Sequence, residues 1–132
     1  MTSDPLLVML TDDNADFRAA AKDYFRDYPE LCVVGAVGSG EEAMAFAGKT
    51  NVDLVLMDLA MPGMGGIEAT RRIKSRPNAP KVIVVTMQDA AAYRDAAQAA
   101  GADGFVIKDY FSATIMPLIA SLFRREFKTS EQ

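Results

Sequence analysis

The stretch Val52-Asp53-Leu54-Val55-Leu56-Met57-Asp58-Leu59 sets four consecutive apolar residues directly ahead of a carboxylate. Apolar residues at successive positions, with no polar alternation, mark a strand buried on both faces of a parallel sheet. An Asp closing such a strand costs free energy unless it has a role. Working outward, the third run spans Val52 to Met57, and four similar runs flank it: Leu6 to Leu10, Leu31 to Val37, Lys81 to Thr86 and Gly104 to Ile107. Helical patterns separate them, so the chain reads as (βα)5 in strict alternation. For an open sheet of this kind the economical arrangement is doubly wound, with right-handed crossovers and strand order 2-1-3-4-5 of the flavodoxin type. The fold class is α/β. Ligands of such sheets sit outside the carboxyl ends of the strands, near the switch point between the first and third.

The helices follow from spacing and caps. Phe17, Ala20, Ala21, Tyr24, Phe25 and Tyr28 recur at intervals of three and four, predicting an amphipathic helix that Asp13 or Asn14 caps and Pro29 ends. Ser39 with Glu42 three residues on resembles a capping box for a second helix through Ala47. A third runs from about Ile67 to Ser75, ahead of Pro77 and Pro80. Ala90 to Ala100 has high helix propensity but few large side chains to pack, so it is expected to be weakly anchored, and Gly101 ends it. The last helix is expected from near Ser112 to about Phe127, with Ile115, Ile119, Leu122 and Phe123 inward and Pro117 close enough to its start to be tolerated.

Composition narrows the chemistry. The chain has 132 residues, 14 Lys plus Arg against 18 Asp plus Glu for a net charge of −4, one Cys and no His. One compact domain is expected at this length. Cys32 cannot form an internal disulfide and reads as a small buried hydrophobe, in keeping with a reducing compartment. Without His, imidazole ligands and Ser-His-Asp triads are excluded, which leaves carboxylates, Lys and hydroxyls. Mild acidity argues against a general nucleic-acid surface, and Arg71, Arg72, Lys74 and Arg76 read as a solvated helix face. No apolar run approaches the roughly 18 residues of a membrane span, and no positive region precedes Leu6 to Leu10. The expected location is the cytoplasm. The eight Met residues read as core filler.

Polar groups stand at the same end of four strands: Thr11-Asp12-Asp13-Asn14 after the first, Asp58 after the third, Thr86 after the fourth and Lys108-Asp109 after the fifth. Carboxylates a few ångströms apart repel by roughly 4 kcal/mol per pair at an effective dielectric near 20. Raised pKa values or a hard divalent cation would relieve that repulsion, and Mg²⁺ prefers one or two carboxylates with water and phosphate oxygens. Asp12 and Asp13 supply that kind of site. Asp58 would be a carboxylate able to attack phosphorus and form an acyl phosphate, and Lys108 as a point charge and the Thr86 hydroxyl as a donor would then hold the remaining phosphoryl oxygens. The plain alternatives are that Asp12, Asp13 and Asn14 only cap a helix, that Thr86 is only a good strand residue, and that Phe105 is only core.

This ordered set resembles the receiver domain of two-component response regulators, over nearly everything from Leu6 to Phe127. The resemblance rests on Asp12-Asp13, on Asp58 with Met61-Pro62 and a Gly-rich turn ending in Gly66, on Thr86, and on Gly101-Ala102-Asp103-Gly104-Phe105 leading to Lys108. It implies Asp58 as phosphoacceptor, Asp12, Asp13 and Asp58 as Mg²⁺ ligands joined by the backbone carbonyl of Ala60, and Lys108 as phosphate contact. Thr86 and Phe105 match the family's switch pair. Two positions depart from its common pattern: Met87 follows the switch Thr where a small residue is usual, which narrows access to the phosphoryl group, and Lys108 precedes Asp109 and not Pro.

The stretch from Gly101 to Asp109 is similar to the subfamily whose receivers carry helix-turn-helix output domains. The resemblance further implies a phosphohistidine donor on a sensor histidine kinase or histidine phosphotransfer protein. It implies a downstream protein target or a DNA-binding output domain, no direct nucleic-acid binding by this domain, and allows a phosphorylation-dependent dimer. Phosphorylation would shift an inactive and active equilibrium read on the face of the fourth helix, fifth strand and fifth helix. The organisation expected is a receiver domain over residues 1–128 and a short tail over 129–132, with no output domain among them. Phosphoryl transfer and hydrolysis would be self-directed, so no turnover enzyme is expected. The rivals are a receiver-like binding module that phosphorylation does not switch and a Mg²⁺-dependent phosphatase of the haloacid-dehalogenase type. The latter would want Asp-x-Asp after the first strand and a larger chain. A flavin-binding domain is disfavoured by the acidic loop after the first strand.

Overall fold

The structure, a computed structural model, describes residues 4–87 and 89–129. The expected tail therefore lies outside the described residues except for Thr129, as do Met1 to Ser3 ahead of the first strand. Strands β1 (Leu6–Thr11), β2 (Leu31–Val37), β3 (Leu54–Asp58), β4 (Lys81–Thr86) and β5 (Gly104–Ile107) alternate with helices α1 (Ala15–Phe25), α2 (Gly40–Lys49), α3 (Gly66–Lys74), α4 (Ala91–Ala99) and α5 (Phe111–Phe123). All pairings are parallel and the sheet order is β2-β1-β3-β4-β5, as the alternation of runs predicts. One apolar layer lies between the sheet and α1 with α5, around Leu10, Phe25, Leu56, Ile83, Ile115 and Ile119. The other, facing α2 and α3, gathers Met9, Ala43, Val55, Met57, Ala69 and Ile73.

Burial on both faces holds for β1, β3 and β4 but not for β2, an edge strand that leaves Cys32 and Ala36 exposed. The reading of Cys32 as a buried hydrophobe is thus corrected. An apolar run does not tell an edge strand from a central one, because β2 still covers one flank of β1 and packs Leu31 and Val33 inward. Met87 likewise departs from core filler, being 63% exposed, whereas Met9 and Met57 are fully buried.

Helix ends also depart from expectation. Helix α1 stops at Phe25, and Tyr28 N–H closes a turn on Phe25 O at 2.9 Å, because a residue ahead of Pro avoids the helical region. Asn14, not Asp13, is its cap, accepting from Phe17 N–H at 3.1 Å. In the Ser39 box, Ser39 Oγ accepts from Glu42 N–H, while the Glu42 carboxylate takes the Gly38 N–H and the Ser39 hydroxyl. Helix α5 ends at Phe123 and not near Phe127: Arg124 turns left-handed (φ 53°, ψ 47°), Arg125 reaches back to the Asp4 carbonyl at 2.9 Å, and Phe127 folds onto the core. Pro117 is the seventh residue of α5, well inside it, and the helix continues because Ile115, Met116 and Ile119 stay buried on its inner stripe.

The basic run on α3 is only partly a solvated face. Arg71 and Arg72 pair with Glu68, but Lys74 Nζ reaches Asp103 Oδ2 at 2.9 Å and the Pro80 carbonyl at 3.0 Å, and Arg76 donates to Met44 O. Asp103 Oδ2 also accepts from Val82 N–H at 2.8 Å. One half-buried carboxylate thus ties α3, β4 and the start of β5. Replacing Asp103 by Ala leaves both donors without it and should cost about 2 kcal/mol in a urea unfolding series, with little change in slope.

Candidate functional site

Strand register assembles the site. Thr11 stands level with Met57 and Asp58 level with Val85, so Asp12 leaves β1 beside the last residue of β3. Thr86 is level with Ile107, which puts Lys108, the first residue of a single 3-10 turn, at the same end. The predicted carboxylates do converge: Asp12, Asp13 and Asp58 each offer an oxygen, all within 4.8 Å of one another. Asp12 and Asp58 are buried and Asp13 is exposed.

Lys108 is the nearest counter-charge, its Nζ 2.6 Å from Asp12 Oδ2 and 3.9 Å from Asp58 Oδ1. The other Asp12 oxygen accepts from Asn14 N–H at 2.9 Å, and Arg18 donates to the Asp12 backbone carbonyl. Burial pushes the Asp58 carboxyl up from 3.8 to about 6, helped by the Asp12 charge and less by Asp13, against Lys108 and the Ala60 backbone N–H, which favour the ionised form. Asp58 is therefore a carboxylate held at a cost, with one ammonium facing three acids. That donor set fits a hard divalent cation, which takes oxygen ligands and would relieve the same repulsion.

Of the expected switch pair, Thr86 is buried at the end of β4. Phe105 is half-buried, with the Arg94 guanidinium 4.6 Å above its ring, and Arg94 Nε is itself bonded to Asp89 Oδ1 at 2.9 Å. Gly66, at the start of α3, lies so close to β3 that a Cβ there would overlap the Asp58 carbonyl.

Residues 8–120 match the response regulator receiver domain family. The chain belongs to that family. It is 34% identical over 116 residues to the response regulator UvrY of Escherichia coli (strain K12), an alignment covering 88% of this chain and 53% of UvrY. It is 35% identical over 126 residues to the response regulator GacA of Pseudomonas viridiflava, covering 95% of this chain and 58% of GacA. Among solved structures, a two-component response regulator of the LuxR family from Aurantimonas sp. SI85-9A1 superposes with a TM-score of 0.84 at 33% identity, over 92% of this chain and 88% of that one. The chain spans about half the length of the curated relatives it matches. As a receiver domain it is a component of two-component signal transduction, and the phosphatase and flavin readings fall away. Among the described residues no helix is long and apolar enough to cross a membrane.

Sequence reading of this receiver domain passed over three side chains around the site: Arg18 on the Asp12 carbonyl, Phe17 under Lys108 and Arg94 over Phe105. Phe17 registered only as part of the apolar stripe of α1. The Phe17 and Arg94 contacts join segments that only the fold brings together, and Arg18 reaches back six residues to a backbone carbonyl, a contact that residue type alone does not announce.

Proposed function

We propose that this receiver domain takes a phosphoryl group onto Asp58 from a phosphohistidine on a sensor histidine kinase or histidine phosphotransfer protein. The observation that carries the reading is the buried Asp58 carboxylate, raised to about 6, beside Asp12, Asp13 and the Lys108 ammonium. The ionised Asp58 oxygen attacks phosphorus, the phosphorus–nitrogen bond of the donor breaks, and the imidazole leaves with that electron pair and takes up a proton. Asp12, Asp13 and Asp58, with the Ala60 carbonyl, would hold Mg²⁺, which when bound supplies positive charge against the phosphoryl oxygens.

Lys108 brings a mobile point charge from between Asp12 and Asp58 to a phosphoryl oxygen. The Thr86 hydroxyl donates to another, and Phe105 moves with it, shifting an inactive and active equilibrium read on the α4-β5-α5 face. Transfer and later hydrolysis act on the domain's own carboxylate. With no His in its sequence the chain accepts phosphohistidine chemistry but does not supply it. The partners that fit are a cytoplasmic kinase module upstream and a protein target or DNA-binding output domain downstream.

The test is incubation with Mg²⁺ and a small acyl phosphate, read by intact mass. Wild-type protein should gain one phosphoryl group, and Lys108→Ala should gain it about 100-fold more slowly, as expected for loss of one preorganised charge. No mass gain from either a small donor or a phosphorylated kinase would overturn the reading.

A further inference from the structure

We propose that Phe17 is a positioning residue for Lys108, its ring forming the third wall of a pocket in which the ammonium waits beside Asp12 and Asp58. The proposal rests on the phosphoryl-transfer reading above. The Lys108 Nζ lies 4.5 Å from the centroid of the Phe17 ring, while Asp12 and Asp58 stand at 2.6 and 3.9 Å. Only 13% of the Lys108 side chain is exposed. An aromatic face attracts a cation through its quadrupole, and more strongly where water is excluded.

Phe17 is itself fixed. It lies in the first turn of α1, where its backbone N–H is bound by the Asn14 cap. Its ring meets Phe111 edge to face, with centroids 5.3 Å apart and planes at 82°. Phe111 opens α5 and is buried against Phe25 and Tyr24. The ring thus packs from α1 against the first residue of α5, and the ammonium lies over its face.

The consequence concerns cost. A Lys side chain loses much rotamer freedom when it is ordered, and a hydrated ammonium loses water when it enters a buried site. Phe17 has Lys108 meet both costs before the donor arrives, so the charge travels a short way when a phosphoryl group approaches. An aliphatic side chain at position 17 would still fill space against Phe111 but would offer no quadrupole to hold the cation.

Two readouts test this. In the unphosphorylated wild type, the Lys108 ε-methylene protons should be displaced upfield by the Phe17 ring current, and Phe17→Leu should return them to the range of the other lysines while Phe17→Tyr keeps the displacement. In labelling by Mg²⁺ and an acyl phosphate, Phe17→Leu should slow the reaction about fivefold and Phe17→Tyr should restore it to within about twofold of wild type. If Phe17→Leu does not fold, Phe17→Met supplies the same comparison. Undisplaced Lys108 protons in the wild type, wild-type labelling by the aliphatic variant, or a Tyr variant no better than Leu each overturn the proposal. If wild-type protein takes up no phosphoryl group at all, the phosphoacceptor reading fails, and the ring-current displacement alone decides whether Phe17 holds Lys108.

Discussion

Asp58→Asn should abolish phosphoryl uptake and, in the absence of divalent cation, make the domain more stable. The two effects have one cause. Burial and the Asp12 charge raise the carboxyl from 3.8 to about 6, so its ionised form is disfavoured in the folded chain relative to the unfolded one. A carboxyl raised on folding contributes stability that is fully present below the unfolded value, near 4, and is lost as pH rises through the folded value, near 6. At pH 8 the wild type therefore carries a penalty that the neutral amide lacks, on the order of 2 kcal/mol. Chemical unfolding at a series of pH values checks this. The variant should exceed the wild type above pH 6, the gap should shrink between about pH 6 and 4, and it should close below. A gap that widens on acidification would mean that Asp58 is stabilised as the anion, and the electrostatic account would be wrong. Added Mg²⁺ should narrow the gap at pH 8, because the variant keeps Asp12 and Asp13 but lacks the Asp58 carboxylate, so a bound cation relieves the wild type more.

Gly66→Ala should destabilise the domain by about 3 kcal/mol and strongly impair uptake by displacing Asp58. A Cβ at this position would overlap the Asp58 carbonyl oxygen and lie 2.8 Å from its carbonyl carbon and 2.9 Å from the Leu59 Cα. These are backbone atoms, so no side-chain rotation offers relief. Neighbouring Gly65 is the control: a Cβ there would meet nothing closer than the Leu59 carbonyl at 3.6 Å. Gly65→Ala should therefore shift the midpoint of thermal unfolding far less than Gly66→Ala. Equal losses at the two positions would show that the effect belongs to the helix start in general.

The sheet was legible because its information is local. Four apolar residues ahead of Asp58 and the alternating helical stripes announce a buried parallel sheet, and the strand order follows from general rules of connection. The convergence of Asp12, Asp13, Asp58 and Lys108 was legible for a related reason, since in a parallel sheet all residues that close a strand arrive at one edge. Cys32 was not, because an apolar run is compatible with either a central or an edge strand. The end of α5 was not, because a left-handed turn at a non-glycine residue, Arg124, has no marker in the sequence, and the bond from the Arg125 side chain to Asp4 that accompanies it is long-range. The contacts of Phe17 and Arg94 stayed hidden because one joins α1 to the turn after β5, across most of the chain, and the other joins α4 to β5.

The bond that Lys74 and Val82 share on Asp103 has a mechanical meaning as well as a stabilising one. It clamps the chain just ahead of β5, while the sheet clamps it at Thr86. Between those two fixed points hangs α4, which buries only Ala97 and has no side-chain cap at its start. If Thr86 moves on phosphorylation as proposed, the displacement would fall first on this lightly buried span, ahead of the clamp at Asp103. On that reading one face would be reshaped while the frame that holds Asp12, Asp58 and Lys108 keeps its alignment.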